Sequence, residues 1–362
     1  MTTVLRNVVR PGEPDRPLDV VIEGETIAAV REAGTAASGD VLDATGLVVS
    51  PGLIDTHVHL LEEKELSQLT DAGVTTCVEL GTQPDALVER LRAAPGVTSV
   101  VSAGSAASAP GSMQVEVLGF PEESAVTGPE DAERFVQWRQ DSGADLVKII
   151  VEDPHIPDVK ALAPETLAAL VRAAHERGLL TVAHVVTSHA YGMGLDAGVD
   201  VLTHAPLDQP VAEETAARMV EAGTVASPTL TMLELAAKAL AGRPGPTLTY
   251  DAARETVRRL HAAGVPVVAG TDANQHPHTP AQIPHGSSLH HELELLVAAG
   301  LTPAEALDAA TTAAARVFRL TDRGSLEPGL RADLVLFGAD PARDITASRD
   351  VRQVWIGGER VR

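Results

Sequence analysis

The chain has 362 residues, 28 Lys+Arg against 50 Asp+Glu, a net charge of −22, thirteen histidines and one cysteine. Such a charge repels phosphate backbones and excludes a general nucleic-acid binder, and one cysteine excludes an internal disulfide and any cysteine-built metal cluster. At 44% hydrophobic residues the chain is too apolar for disorder, yet no apolar run approaches the ~20 residues of a membrane span. The first six residues, Met-Thr-Thr-Val-Leu-Arg, carry no apolar signal region, so the expectation is a cytoplasmic protein with no membrane partner. Any metal site must be built from nitrogen and oxygen ligands.

Residues 1–49 read as short strand pieces, 3–5, 18–22, 26–30 and 47–49, separated by turns such as Glu23-Gly24. From residue 53 to 318, apolar runs alternate with amphipathic stretches. The predicted strands are 53–59, 74–80, 97–103, 145–151, 179–186, 199–204, 224–230 and 265–272, and a glycine precedes each after the first. Glycine suits the residue just past a helix, because it accepts positive φ without strain. One helix shows the pattern: Pro164 near its start, then Leu167, Leu170, Val171 and Ala174 on one face, then Gly178. Eight such units fit a (β/α)8 TIM barrel over residues 50–321 better than an open doubly wound sheet, another α/β sheet being the alternative. No G-x-G-x-x-G follows the first strand, which argues against a dinucleotide fold. The stretches 332–337 and 351–358 are again strand-like. Neither end is long enough for its own core, so 1–49 and 322–362 are expected to pair into one small β domain.

His57 and His59 lie two apart on the first predicted strand, so both point to one face. At the C-terminal end of a barrel strand that face is the catalytic mouth, where two imidazoles make a metal clamp; on an edge strand they would be a surface pair. His184, His204 and Asp272 fall at or near the ends of three other predicted strands, and Lys148 sits inside a fourth. Taken singly, each has a plainer reading: a satisfied core histidine, a capping aspartate, a paired lysine. A buried lysine is costly unless paired or discharged. It is resolved either as a neutral amine that takes up CO2 to become a carbamate, or as a salt bridge to Asp272 or Glu152. His276, His278 and His285 follow the eighth strand, His155 follows Lys148, and His189 and Tyr191 follow the fifth strand. These six are candidates for substrate contact at the same face. His175 and His261 read as helix C-terminal cations, His290 and His291 as helix surface or packing, and Cys77 as a small buried hydrophobe.

The stretch Pro51-Gly52-Leu53-Ile54-Asp55-Thr56-His57-Val58-His59 resembles the opening motif of the amidohydrolase superfamily. Ala72-Gly73-Val74-Thr75-Thr76, Asp145-Leu146-Val147-Lys148-Ile149, Ala197-Gly198-Val199-Asp200, Gly270-Thr271-Asp272 and Gly324-Ser325-Leu326-Glu327-Pro328-Gly329 extend the resemblance over nearly the whole chain. The nearest branch is that of imidazolonepropionase-related hydrolases, with Xaa-Pro dipeptidases among them. The resemblance implies a (β/α)8 barrel with a composite β-sandwich from both termini. It implies His57, His59 and Asp272 on one divalent metal, His184 and His204 on a second, and carboxylated Lys148 bridging them. Two features depart from the family: Val186 stands where a further histidine is common, and Gly73 comes only fourteen positions after His59.

The expected activity is hydrolysis of an amide bond in a small carboxamide, N-acyl amino acid or dipeptide. Two divalent ions, zinc first among them, share a hydroxide, and Asp272 acts as general base and then acid. A lactonase or phosphotriesterase on the same centre is the nearest alternative. A one-metal deaminase or cyclic-amide hydrolase would place a glutamate three residues after His184, where this chain has Thr187. A ligand-binding or scaffold protein on the same fold is the non-enzymatic alternative. The expected partners are a small-molecule substrate and further copies of the chain.

Overall fold

The apolar runs between glycines form two parallel sheets. In the computed structural model, which describes residues 2–35, 39–240, 248–277, 279 and 282–362, strands Leu53–Val58, Val74–Glu79 and Ser99–Ser102 make the first. Leu146–Ile150, Leu180–His184, Val201–Thr203 and Val225–Ala226 make the second. Every residue of Leu53–Val58, Val74–Glu79 and Leu146–Ile150 is buried. Both faces of these strands are covered, so they show no polar alternation. Single parallel bridges link Ala107 to Ile149, Ala226 to Val267 and Val58 to Ala273, at the edges of the two sheets.

The eighth expected strand, 265–272, forms no continuous ladder. It is held by those isolated bridges and by amides bonded out of register, Ala269 N to Ala309 O and Asp272 N to His57 O. Asp272 has φ 56°, which ends the extended conformation there.

Helix Pro164–Glu176 begins with proline in its first turn and buries Leu167, Leu170, Val171 and Ala174. Gly198 closes helix Ser188–Ala197 at φ 82° and donates to Gly194 O and Leu195 O. A side chain there would pay the left-handed strain that glycine avoids.

Both termini share one mixed sheet. Its order is Glu359–Arg360, Val351–Ile356, Leu334–Phe337, Val48–Pro51, Thr2–Arg10, Glu13–Glu23 and Thr26–Glu32, with Asp40–Asp43 paired to Thr2–Arg10. Leu5, Val20, Ile22, Val49, Leu334, Leu336 and Trp355 pack as its buried core. Val48–Pro51, antiparallel to Leu334–Phe337, delivers the chain directly into the strand bearing His57.

One buried carboxylate fixes a helix start. Glu292 accepts the N–H groups of Leu230 (2.9 Å) and Thr231 (2.7 Å), at the start of helix Leu230–Leu240. Burial pushes its carboxyl up to about 7. Glu292→Ala leaves two buried N–H groups unmatched and is expected to cost about 3 kcal/mol in denaturant unfolding; a loss below about 1 kcal/mol would show the contacts to be dispensable. Among the described residues, no helix is long and apolar enough to cross a membrane.

Candidate metal centre

The strand ends bring together all six residues that the sequence set apart as ligands. His57 lies next to the end of Leu53–Val58 with His59 just beyond it, Lys148 lies within Leu146–Ile150, His184 ends Leu180–His184, and His204 follows Val201–Thr203. With Asp272 they line one cavity of about 600 Å³. His57 Nε2 is 3.3 Å from His59 Nε2. Asp272 Oδ1 is 3.0 Å from His59 Nε2 and 3.5 Å from His57 Nε2. His184 Nδ1 is 3.0 Å from His204 Nε2, and the His57 and His204 rings stack 4.9 Å apart.

The outer nitrogens are anchored. Thr203 Oγ1 lies 2.9 Å from His57 Nδ1, and Thr229 Oγ1 lies 2.5 Å from His204 Nδ1. Such anchors fix ring orientation and leave the other nitrogen to face the cavity. Burial holds His57 and His204 well below the usual imidazole range; burial, then Lys148, lowers His184 to about 3. All three are therefore neutral near pH 7, the form that ligates metal.

Lys148 is buried and its Nζ has no hydrogen-bond partner. Burial lowers it to about 7, against the pull of Asp272 and Glu79. The salt bridge to Asp272 or Glu152, one of the two sequence readings, does not form, since Lys148 Nζ has no partner. Burial would raise the Asp272 carboxyl, but His59, His204 and Lys148 outweigh it and hold it below the usual carboxylate range. Its Oδ1, though 3.0 Å from His59 Nε2, makes no hydrogen bond of proper geometry. Two orphaned buried polar atoms, Lys148 Nζ and Asp272 Oδ1, beside these imidazoles have the donor chemistry of a cation site. His57, His59 and Asp272 have ligand atoms within 4.8 Å of one another, close enough for one metal ion.

The candidate substrate contacts scatter. His155 is exposed, its Nδ1 3.0 Å from Asp153 Oδ1, and its ring lies 4.4 Å from that of His189. Neither histidine lines the cavity, although Asp153 does. Tyr191 is buried in the core beside Leu195, and burial raises its hydroxyl pKa further. His276 lines an adjoining cavity of about 660 Å³ that shares His59, Leu118, Phe120, Asn274 and Thr279 with the first. His285 is buried behind His59, its Nε2 2.9 Å from His59 O. His278 lies outside the described residues.

Sequence reasoning passed over Glu79, Asp55 and the two anchoring threonines. Glu79 ends strand Val74–Glu79, fully buried, and accepts from Gly81 N, Thr82 N and Ser102 Oγ. A carboxylate closing an apolar run was the available signal, the same one that marked Asp272. Asp55 accepts from Thr271 Oγ1 (2.7 Å), and burial pushes its carboxyl up to about 7. Nothing marked Thr203 or Thr229, since threonine is ordinary in a strand.

The sequence profile of the amidohydrolase family matches residues 48–361. The imidazolonepropionase of Anaeromyxobacter dehalogenans is 30% identical, covering 93% of this chain and 90% of that enzyme. That of Geobacillus kaustophilus is 28% identical over 88% of this chain and 83% of its own. That of Deinococcus deserti is 41% identical, but over 33% of this chain and 29% of its own. Among solved structures, a Xaa-Pro dipeptidase with bound methionine superposes with a TM-score of 0.84 at 23% identity, covering 99% of both chains. At that identity the likeness is one of fold.

Proposed function

The chain belongs to the amidohydrolase family, and from that premise we propose that it hydrolyses the C–N bond of a small, uncharged, largely apolar amide. The observation that carries this reading is the convergence of four imidazoles, an unpaired lysine and an unsatisfied carboxylate on one apolar-walled cavity. In this reading the two parallel sheets and segment 265–272 close into a (β/α)8 barrel spanning 50–321, and the terminal strands (1–49 and 322–362) form a β-sandwich beside it.

His57, His59 and Asp272 would hold one divalent ion and His184 and His204 a second, with zinc favoured by imidazole and carboxylate donors. When bound, such ions lower the pKa of water towards ~7 and polarise the scissile carbonyl. The neutral Lys148 amine would add to CO2, an N–C bond forming as one proton leaves, and the resulting carbamate would supply an anionic oxygen ligand to the centre. Asp272 accepts a proton from the attacking water at its carboxylate and returns it to the departing nitrogen. Thr203 and Thr229 keep His57 and His204 oriented throughout.

The walls argue for the substrate class. Met113, Leu118, Phe120, Ile150, Met232 and Ile283 face the cavity, and among the described residues its only lysine or arginine is Lys148. Asp153 and Asp208 line it as well. Among the described residues a substrate carboxylate would meet no guanidinium and two like charges, which disfavours N-acyl amino acids and dipeptides. The test is a panel on zinc-reconstituted protein: uncharged apolar amides, their carboxylate-bearing counterparts, Xaa-Pro dipeptides, lactones and phosphotriesters. The uncharged amides are expected to exceed the carboxylates in kcat/KM by about tenfold or more, a difference of about 1.4 kcal/mol. The reverse order would overturn the substrate class, and turnover confined to lactones or phosphotriesters would overturn the C–N assignment.

A further inference from the structure

We propose that Asp153, His155 and His189 form a further divalent transition-metal site at the rim of the cavity, built from none of the six residues of the main centre. One ligand atom from each of the three lies within 4.8 Å of the others. Asp153 Oδ1 is 3.0 Å from His155 Nδ1, and the two imidazole rings meet edge to face with centroids 4.4 Å apart. Ligands at ~2.0–2.2 Å around a tetrahedral zinc stand roughly 3.4 Å from one another, so small side-chain rotations would close this set on an ion.

The local chain builds the arrangement. Asp153 is buried, and its carboxylate is held from two sides. Its Oδ2 accepts from Thr187 Oγ1 at 2.9 Å, and its Oδ1 accepts the His155 N–H at 2.9 Å across Pro154. Thr187 also caps helix Ser188–Ala197, accepting from Ala190 N, which places His189 in the first turn beside the loop. The same threonine thus orients the carboxylate and the helix that carries the third ligand, the kind of outer support a metal-binding side chain needs. Both histidines are exposed, so ions reach them directly from solvent.

Two imidazoles and one carboxylate select zinc, cobalt, nickel or copper over magnesium and calcium. Three protein ligands leave a position for water or for an oxygen of a bound molecule. Asp153 and Thr187 also line the main cavity. An ion held there would therefore place positive charge on a rim that otherwise carries Asp153 and Asp208, and its occupancy would bear on what enters.

Metal counting tests this without reference to any substrate. Full-length protein is dialysed against excess cobalt(II) and the bound equivalents are measured by atomic emission, with the cobalt d–d absorption recorded alongside. The wild type is expected to hold one equivalent more than a His155→Ala/His189→Ala double variant whose circular dichroism is unchanged. Asp153→Asn is expected to weaken that last equivalent by about tenfold or more. Equal counts in wild type and double variant would overturn the proposal. So would an additional equivalent in the wild type that survives the double substitution, since it must then lie elsewhere. A failure of the amide-hydrolase reading leaves these counts untouched, so the two failures are distinguishable.

Discussion

Asp272→Asn is expected to lower kcat by about a thousandfold while leaving the fold intact and metal bound. The substitution is informative because of where Asp272 sits. Its backbone has φ 56°, a left-handed conformation that asparagine tolerates almost as well as aspartate and that most other residues resist. Asparagine therefore keeps the backbone, the volume and one oxygen near His57 and His59, and removes only the proton-accepting charge. Asp272→Ala changes the backbone cost as well: the left-handed residue would add about 1–2 kcal/mol of strain. Its melting temperature is thus expected to fall where that of Asp272→Asn does not. The measurement pairs kcat with metal content from the same preparation. A kcat within about threefold of wild type, with metal retained, would remove Asp272 from proton transfer and leave it as a ligand only.

What the sequence made legible was punctuation and chemistry at strand ends. Gly178, Gly198, Gly223 and Gly264 all take positive φ just past helices, so reading backwards from them located the strands. Pro51 to His59 carried the family signal as a whole motif, and His57 and His59 gained their weight from Lys148, His184, His204 and Asp272 falling in or near the ends of other predicted strands. Pairing was less legible. The apolar run 265–269 looks like any other buried strand, yet its amides bond to Ala226 and Ala309 rather than along one neighbour. Side-chain direction inside a helix was also hidden. Tyr191 follows the fifth strand and so reads as a pocket residue, but it shares a helix face with Gly194 and Leu195 and points into the core. His155 and His189 are 34 positions apart and meet only because Thr187 ties a loop to a helix start. Long-range meetings of that kind leave no spacing pattern in the chain.

Lys148→Met separates the carbamate from a merely structural lysine, because the two readings give opposite signs in the metal-free protein. Lys148 Nζ is buried with no partner, so in the fold its charged form is disfavoured and its pKa drops from 10.5 to about 7. Between those values the unfolded chain binds more protons than the folded one, so stability of the metal-free wild type rises with pH over that interval. Methionine fills similar volume without the charge. The variant is expected to lose that pH slope and to be more stable than wild type near pH 7, by about 1 kcal/mol or more. A lysine paired in a working salt bridge would instead leave an uncompensated partner and destabilise the variant. With metal the order reverses. On the proposed reading the variant would lack the anionic ligand that Lys148 supplies to the main centre, so it is expected to bind one equivalent of zinc fewer than wild type and to lose about a thousandfold or more in kcat. The companion variant Lys148→Ala opens a space that a short free carboxylate can enter; added propionate is expected to restore part of the lost turnover in Lys148→Ala and none in Lys148→Met. Full metal binding and activity in Lys148→Met would end the carbamate reading. Normal stoichiometry with no carboxylate rescue would leave Lys148 as a residue that shapes the cavity floor.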